Sequence, residues 1–134
     1  MTFAAVADTH VLHWYIMGDA RLSVRAKNLI DDAASDGRQI AFSSISFVEI
    51  AYLIEKGRVP TTLFSLLARA RNDPLSVFVE IPVELRIARA MTRVPMAQIP
   101  DMPDRLIAAT ALYLNVPLIS RDGKITLSSV PTIW

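Results

Sequence analysis

Short apolar runs alternate with amphipathic stretches along the whole of this 134-residue chain. FAAVA, from Phe3 to Ala7, reads as a buried strand ending at an acid, and THVLHWYIM follows with helical spacing that stops near Gly18. Ser23 is placed to cap the next helix, VRAKNLIDDAA, which ends before Gly37. QIAFS reads as a second strand, and Ser44 or Ser46 as the cap of the helix FVEIAYLIEKG, closed by Gly57. After Pro60 a threonine cap opens TTLFSLLARARN, a fourth helix, and SVFVEI, rich in β-formers, reads as a third strand. The helix VELRIARAMTRV, a proline-bearing loop and the apolar helix within IPDMPDRLIAATALYL come next. PLIS is a fourth strand, and TIW a stub at the sheet edge.

The strands are short apolar runs without polar alternation, which is the mark of a sheet buried on both faces. Their alternation with helices predicts an α/β protein: a central parallel sheet of four to five short strands in a three-layer α/β/α arrangement. No repeat or linker interrupts the pattern, and the length suits one domain over 1–134. The two long helical stretches between the second and third strands exceed what one crossover requires, and a helical hairpin beside the sheet is expected there.

Composition narrows the class. The chain is 52% apolar and 20% charged, which favours a globular core over disorder. It has no cysteine, which excludes disulfides and thiolate metal sites and fits a reducing, cytoplasmic setting. No basic region precedes the first apolar run, so the N-terminus does not read as a signal peptide. The longest apolar stretch, Leu106 to Ile119, is broken by Asn115 and Pro117 and is too short to span a bilayer. A soluble protein is expected, with no membrane partner. The net charge of +1 neither demands nor excludes nucleic acid. Arg86, Arg89 and Arg93 at helical spacing, and Arg69 and Arg71, suit either a solvated face or phosphate contact.

The acids carry more. Of thirteen, most lie where solvation is easy, such as Asp31, Asp32 and Asp36 on a polar helix end. Four do not. Asp8 ends the first strand, Glu49 is nearly the only charge in ISFVEIAYLI, Asp104 shares a helix face with Ala108 and Ala111, and Asp122 follows the fourth strand. Groups just beyond the carboxyl ends of parallel strands meet at one edge, where ligands bind. Asp8 and Asp122 qualify directly, and Glu49 and Asp104 join them if their helices pack around that edge.

Two carboxylates about 5 Å apart repel by roughly 3 kcal/mol at an effective dielectric near 20. A cluster of four must protonate, open or bind a cation. An all-oxygen donor set suits Mg²⁺, with Mn²⁺ as a substitute, over zinc or copper. Each acid also has a plainer reading. Asp8 could cap the following helix, Asp104 or Asp101 could serve the helix dipole, Asp122 in RDGK could be a turn residue, and Glu49 could pair with a buried arginine. His10 and His13 share a helix face, but as the only two histidines they cannot complete a zinc set, and packing explains them better. Trp14, Phe47, Tyr52 and Tyr113 read as core or subunit-interface residues. Thr9 and Ser120 neighbour two of the acids and are placed to hydrogen-bond them. A glycine-rich phosphate loop and a GxSxG elbow are both lacking. A phosphatase using Asp8 as nucleophile would usually carry a second Asp two residues on, where His10 stands.

AVADTHVLHW, SSISFVEIAYL, MPDRLIAATAL and LISRDGKI, in that order, resemble the PIN-domain ribonucleases, especially the VapC toxins of bacterial toxin–antitoxin pairs. The resemblance implies a PIN-like α/β/α domain and a Mg²⁺-dependent endoribonuclease. Its four acids match Asp8 after the opening strand, Glu49 in the SxxSxxE-like stretch, Asp104 in the DR.IAA-like segment and Asp122 after the last long strand. It also implies an RNA substrate, a homodimer, and a VapB-like antitoxin whose tail enters the acidic groove, in a heterotetramer or larger assembly. The chain departs from the family in one place. Where many relatives have a longer, histidine-bearing loop before the third acid, it has the compact AQIPDMPDR, so Asp101 competes with Asp104 for that position. Asp104 is favoured because it directly precedes RLIAATA.

Overall fold

The computed structural model describes residues 2–134. Five strands form one sheet: β1 (Phe3–Ala7), β2 (Gln39–Ser43), β3 (Phe78–Ile81), β4 (Leu118–Ile119) and β5 (Thr132–Ile133). Every pairing is parallel, and the order is β3-β2-β1-β4-β5. The helices among the described residues are α1 (Thr9–Met17), α2 (Val24–Asp36), α3 (Ile45–Glu55), α4 (Thr62–Asn72), α5 (Leu85–Met91), α6 (Met102–Leu114) and α7 (Gly123–Thr126).

The strands are apolar throughout because both faces are covered. Ala5 and Ala7 of β1, Ile40 and Phe42 of β2 and Ile119 of β4 point into a core built with α1, α2, α3 and α4. Val6, Ala41 and Leu118, their neighbours in sequence, point into a second core with α5, α6 and α7. The three-layer reading of the pattern therefore holds: side chains alternate between faces, but both faces lead to apolar layers. On the second face Ala108 and Ala111 of α6 are fully covered, and small residues there let the helix lie close to the sheet.

Several local features depart from the pattern-based reading. Ser44 stands at the N-terminus of α3 but does not cap it; its hydroxyl accepts from Val83 N–H, tying α3 to the chain beyond β3. Thr61 likewise makes no side-chain cap. α5 begins at Leu85, because Pro82 and extended Glu84 delay its first turn. The RDGK turn is the start of a one-turn helix, α7. α3 and α4 touch, but they do not stand apart as a hairpin: α4 also packs on α1 and β3, and α3 on α1 and α6. Of the aromatics read as core or subunit-interface residues, Trp14 is buried, whereas Tyr52 (55% exposed) and Tyr113 (41% exposed) lie on the surface and are not core.

Polar contacts outside the site tie helix to helix. The Tyr15 hydroxyl donates to Asp31 at 2.7 Å, joining α1 to α2, and Lys27 holds the other oxygen of the same carboxylate at 2.6 Å. Burial first, and then the Asp31 contact, push the Tyr15 phenol up to about 12. Because the phenol is harder to ionise in the folded chain than at its ordinary value of 10, its contribution is complete below pH 10 and fades as the pH climbs towards 12. Tyr15→Phe is expected to lower stability by about 1 kcal/mol at neutral pH. Urea unfolding at neutral and strongly alkaline pH checks this: the gap between the two proteins should close at the alkaline end.

Candidate active site

The strand order reverses between β1 and β4, and in a parallel sheet such a reversal leaves a crevice beyond the strands' carboxyl ends. Asp8 follows β1 and Asp122 lies just past β4, while Asp8 N–H donates to Ile119 O at 3.2 Å across the junction. Here opens a pocket of about 250 Å³ lined by Asp8, Thr9, His10, Glu49, Asp101, Asp104 and Asp122. All four acids singled out in the sequence face it, and so does Asp101.

Local structure explains how each arrives there. Asp8 is the N-cap of α1: its Oδ1 accepts from Val11 N–H at 2.9 Å. Asp122 caps α7, with Oδ1 accepting from Lys124 and Ile125 N–H at 2.9 and 3.1 Å. The plainer reading of Asp8 as a helix cap is thus correct as well, while Asp122 is a helix cap rather than a turn residue; capping engages Oδ1, and both side chains still line the pocket. Asp101 caps α6 by accepting from Asp104 N–H at 3.1 Å, which leaves Asp104 in the first turn above buried Ala108 and Ala111. Arg105, next in the chain, points away and donates to the carbonyls of Met91 and Val94, anchoring the loop that delivers Asp101 and Asp104.

Among the described residues Glu49 has no arginine partner. Thr9 Oγ1 donates to its Oε1 at 2.6 Å and lies 2.9 Å from Ser46 Oγ, so one buried threonine couples the start of α1 to α3. Ser120, also buried, accepts from Asp122 N–H at 3.1 Å and lies beside Asp8. Both hydroxyls thus bond acids, but Thr9 orients Glu49 rather than its neighbour Asp8, and Ser120 acts on Asp8 as well as on the Asp122 backbone.

The electrostatics are those of crowded like charges. Burial raises the Asp8 carboxyl above its usual range; Ser120, the Val11 N–H and His10 offset part of this, and Asp122 adds to it. Glu49 is raised by burial, lowered by Thr9, and raised again by Asp101 and Asp8. Asp104 is raised to about 7: burial leads, the charges of Asp101, Asp122 and Glu49 follow, and a side-chain hydrogen bond with Asp101 adds to them. Every neighbour acting on Asp104 pushes in the same direction. Among the described residues, no three His, Asp or Glu side chains are set to enclose a metal ion as they stand. The carboxylates surround the pocket rather than meeting at a point. Their chemistry nevertheless fits a hard divalent cation: the donors are oxygens, partly desolvated, and mutually repelling.

His10 lines this pocket, a placement that its helix spacing with His13 did not reveal. A second pocket adjoins the first and shares Asp8, His10 and Asp122 with it; Arg21, Arg58 and Arg121 supply cations to its lining. The arginines noted in the sequence, Arg69, Arg71, Arg86, Arg89 and Arg93, line neither pocket. Arg71 pairs with Glu80 and Arg86 with Glu84, as solvated surface charges. The signal that would have found the right arginines is their position after structural punctuation: Arg58 follows the helix-ending Gly57, and Arg121 precedes the Asp122 cap.

A doubly covered parallel sheet with an acid-lined pocket at its reversal point defines a class of compact α/β proteins, and sequence comparison places the chain within it. The PIN domain profile matches residues 5–130, and the chain belongs to the PIN domain family. It is 28% identical over 132 residues, 95% of either chain, to Ribonuclease VapC22 of Mycobacterium tuberculosis (strain ATCC 25618 / H37Rv). Its fold is similar to that of VapBC2 from Rickettsia felis bound to a DNA fragment from their promoter, with TM-score 0.69, 19% identity, and coverage of 99% of this chain and 98% of that one. A toxin–antitoxin complex from Klebsiella pneumoniae matches with TM-score 0.61 at 21% identity, over 97% of this chain and 96% of that one.

The crowding predicts a stability gain from removing an acid. The Asp104 carboxyl is protonated well above its ordinary value of 3.8 in the fold, so its unfavourable effect is absent below that pH, grows as pH rises to about 7, and is then constant. In EDTA, Asp104→Asn is expected to raise Tm at pH 8 and to leave it unchanged near pH 4. Calorimetry at the two pH values checks the sign.

Proposed function

We propose that this chain is a divalent-metal-dependent endoribonuclease of the toxin type, with RNA as substrate, held silent by a VapB-like antitoxin. The observation that carries the reading is the arrival of Asp8, Glu49, Asp104 and Asp122, from four separate parts of the chain, around one pocket in which three of the four have raised carboxyl pKa values. A structural scaffold has no reason to gather repelling carboxylates that lower its own stability. Support also comes from the similarity to Ribonuclease VapC22 over nearly the full length of both chains.

The residues that would hold Mg²⁺, or Mn²⁺ in its place, are these four acids, partly through intervening water because their side chains line the pocket without converging. Bound there, the ion would supply Lewis acidity at a phosphate and lower the pKa of water. The protein's own part is to fix the donors. Capping bonds hold Asp8 and Asp122, and Thr9 orients Glu49. Asp104, which carries a proton near neutrality in the free pocket, is the group best placed to release one when a cation binds. His10 stands at the rim, within reach of Asp8 and Glu49, where it can meet a phosphate or a leaving oxygen.

The antitoxin belongs to the same reading. A small partner offering a basic side chain to the acid pocket would neutralise it as a cation does. A homodimer is part of the proposal, as is a heterotetramer or larger assembly with the antitoxin. The splayed carboxylates favour one alternative, a PIN-like module that binds RNA or protein without cutting it.

Cleavage of labelled RNA in Mg²⁺ tests the proposal. Asp8→Asn and Asp104→Asn are each expected to lower the rate at least about 100-fold with circular dichroism unchanged. Thr9→Val, which touches no cation directly, is expected to weaken Mg²⁺ binding about 10- to 100-fold by calorimetric titration. Full cleavage by both Asn variants discards the assignment. Wild-type protein that folds but binds neither Mg²⁺ nor Mn²⁺ establishes the silent module instead.

A further inference from the structure

The second pocket, about 440 Å³, shares residues with the acid pocket and adds Arg21, Arg58 and Arg121 to its lining. Its floor is Trp14, only 3% exposed. The Arg121 guanidinium lies 4.5 Å from the centre of the indole ring and that of Arg21 lies 5.3 Å from it; His10 stacks on the same ring at 5.5 Å. Arg58 reaches the pocket because Gly57, at φ +68, turns the chain back after α3.

Only one of the three guanidinium groups is neutralised by an ion pair among the described residues. Arg21 is paired with Asp19 at 2.7 Å. Among the described residues Arg58 and Arg121 are in no ion pair, although Asp122 adjoins Arg121 in sequence and lines the same pocket. The indole quadrupole orders the Arg121 side chain while leaving its charge and N–H donors available. The remaining titratable groups facing the pocket are Asp8, Asp122, His10 and His13. His13 is buried, and burial together with Arg21 lowers its pKa, so it adds no cation at neutral pH. The lining therefore combines two acids shared with the cluster and two guanidinium groups that are in no ion pair among the described residues.

We infer that Arg121, posed on Trp14, and Arg58, which lines the same pocket, form a phosphate subsite that binds the RNA backbone phosphate next to the one presented to the acid pocket. A polyanionic strand crossing an acidic pocket needs fixed cations close by, and guanidinium forks match phosphate oxygens. The shared residues Asp8, His10 and Asp122 make the two pockets one continuous track. Arg121 and Arg58 are thus positioning residues that set where along the strand the acids meet it. The inference rests on the ribonuclease reading for its substrate class, but its test does not require cleavage.

The test follows the salt dependence of binding for a short fluorescein-labelled single-stranded oligouridylate, by anisotropy, in Mg²⁺ and again in EDTA. Each single-strand phosphate that a protein ceases to neutralise flattens the plot of log K against log salt by about 0.7. Arg121→Gln and Arg58→Gln should each reduce the slope by about that amount, and the double variant by about 1.4. Arg121→Lys should restore most of the slope, since charge is kept while the indole contact weakens. All of them should stay folded and still bind Mg²⁺, because neither arginine is itself a cation donor. Wild-type slopes in every variant would overturn the subsite, including the case where the variants instead lose binding to an acidic peptide such as oligoglutamate. Wild type that binds RNA with the expected slopes but never cleaves it would support the subsite and overturn the nuclease reading. Wild type that binds no RNA in either buffer would overturn both.

Discussion

Two short hydrogen-bonded pairings, Val6 with Leu118 and Ala7 with Ile119, hold the molecule's functional geometry. They place β4 on the far side of β1 from β2, and that reversal of strand order is what opens a crevice at the carboxyl edge. Asp8 and Asp122 leave the sheet just beyond these pairs, and Asp8 N–H closes the ladder on Ile119. The pocket is in this sense the sheet's own unfinished edge. Ala5 and Ala7, like Ala108 and Ala111 on α6, are small because the sheet and its covering helices approach closely around this centre.

Charge is arranged around that edge by separation rather than pairing. The carboxylates line one pocket, and the guanidinium groups of Arg58 and Arg121, in no ion pair among the described residues, line the adjoining one with buried Trp14. A protein selected only for stability would join the two sets into ion pairs across so short a span. On the proposed reading, leaving them apart keeps each available for a ligand of opposite sign: a cation for the acids and a phosphate for the arginines. Other cations of the chain are held in ion pairs, as in Arg21–Asp19, Lys27–Asp31 and Arg38–Asp36.

The same residues serve structure and chemistry at once. Asp8, Asp101 and Asp122 each terminate a helix by accepting backbone N–H groups, which satisfies donors that would otherwise be orphaned. One oxygen does the capping and the side chain still borders the pocket. Thr9 and Ser120, buried beside them, use their hydroxyls for orientation. The electrostatic strain of the cluster is thereby set against capping and hydrogen-bond energy within the same few residues.

How much of this was legible in the chain can be judged residue by residue. The apolar strands and amphipathic helices show themselves because burial on two faces or one dictates local pattern, and the class of fold follows from their alternation. Asp8, Glu49, Asp104 and Asp122 stood out because a carboxylate in an apolar setting breaks that pattern wherever it occurs. The arginines did not stand out, since an exposed cation after Gly57 or beside Asp122 breaks no local rule, and the more regular spacing on α4 and α5 drew attention to arginines that line neither pocket. Nor could sequence separate Asp101 from Asp104, because capping and pocket-lining use the same side chain and both acids do turn towards the site. The sequence by itself determined which residues are out of place in a core. Only the tertiary structure decided which of them meet, because strand order and helix packing are set by contacts between segments far apart in the chain.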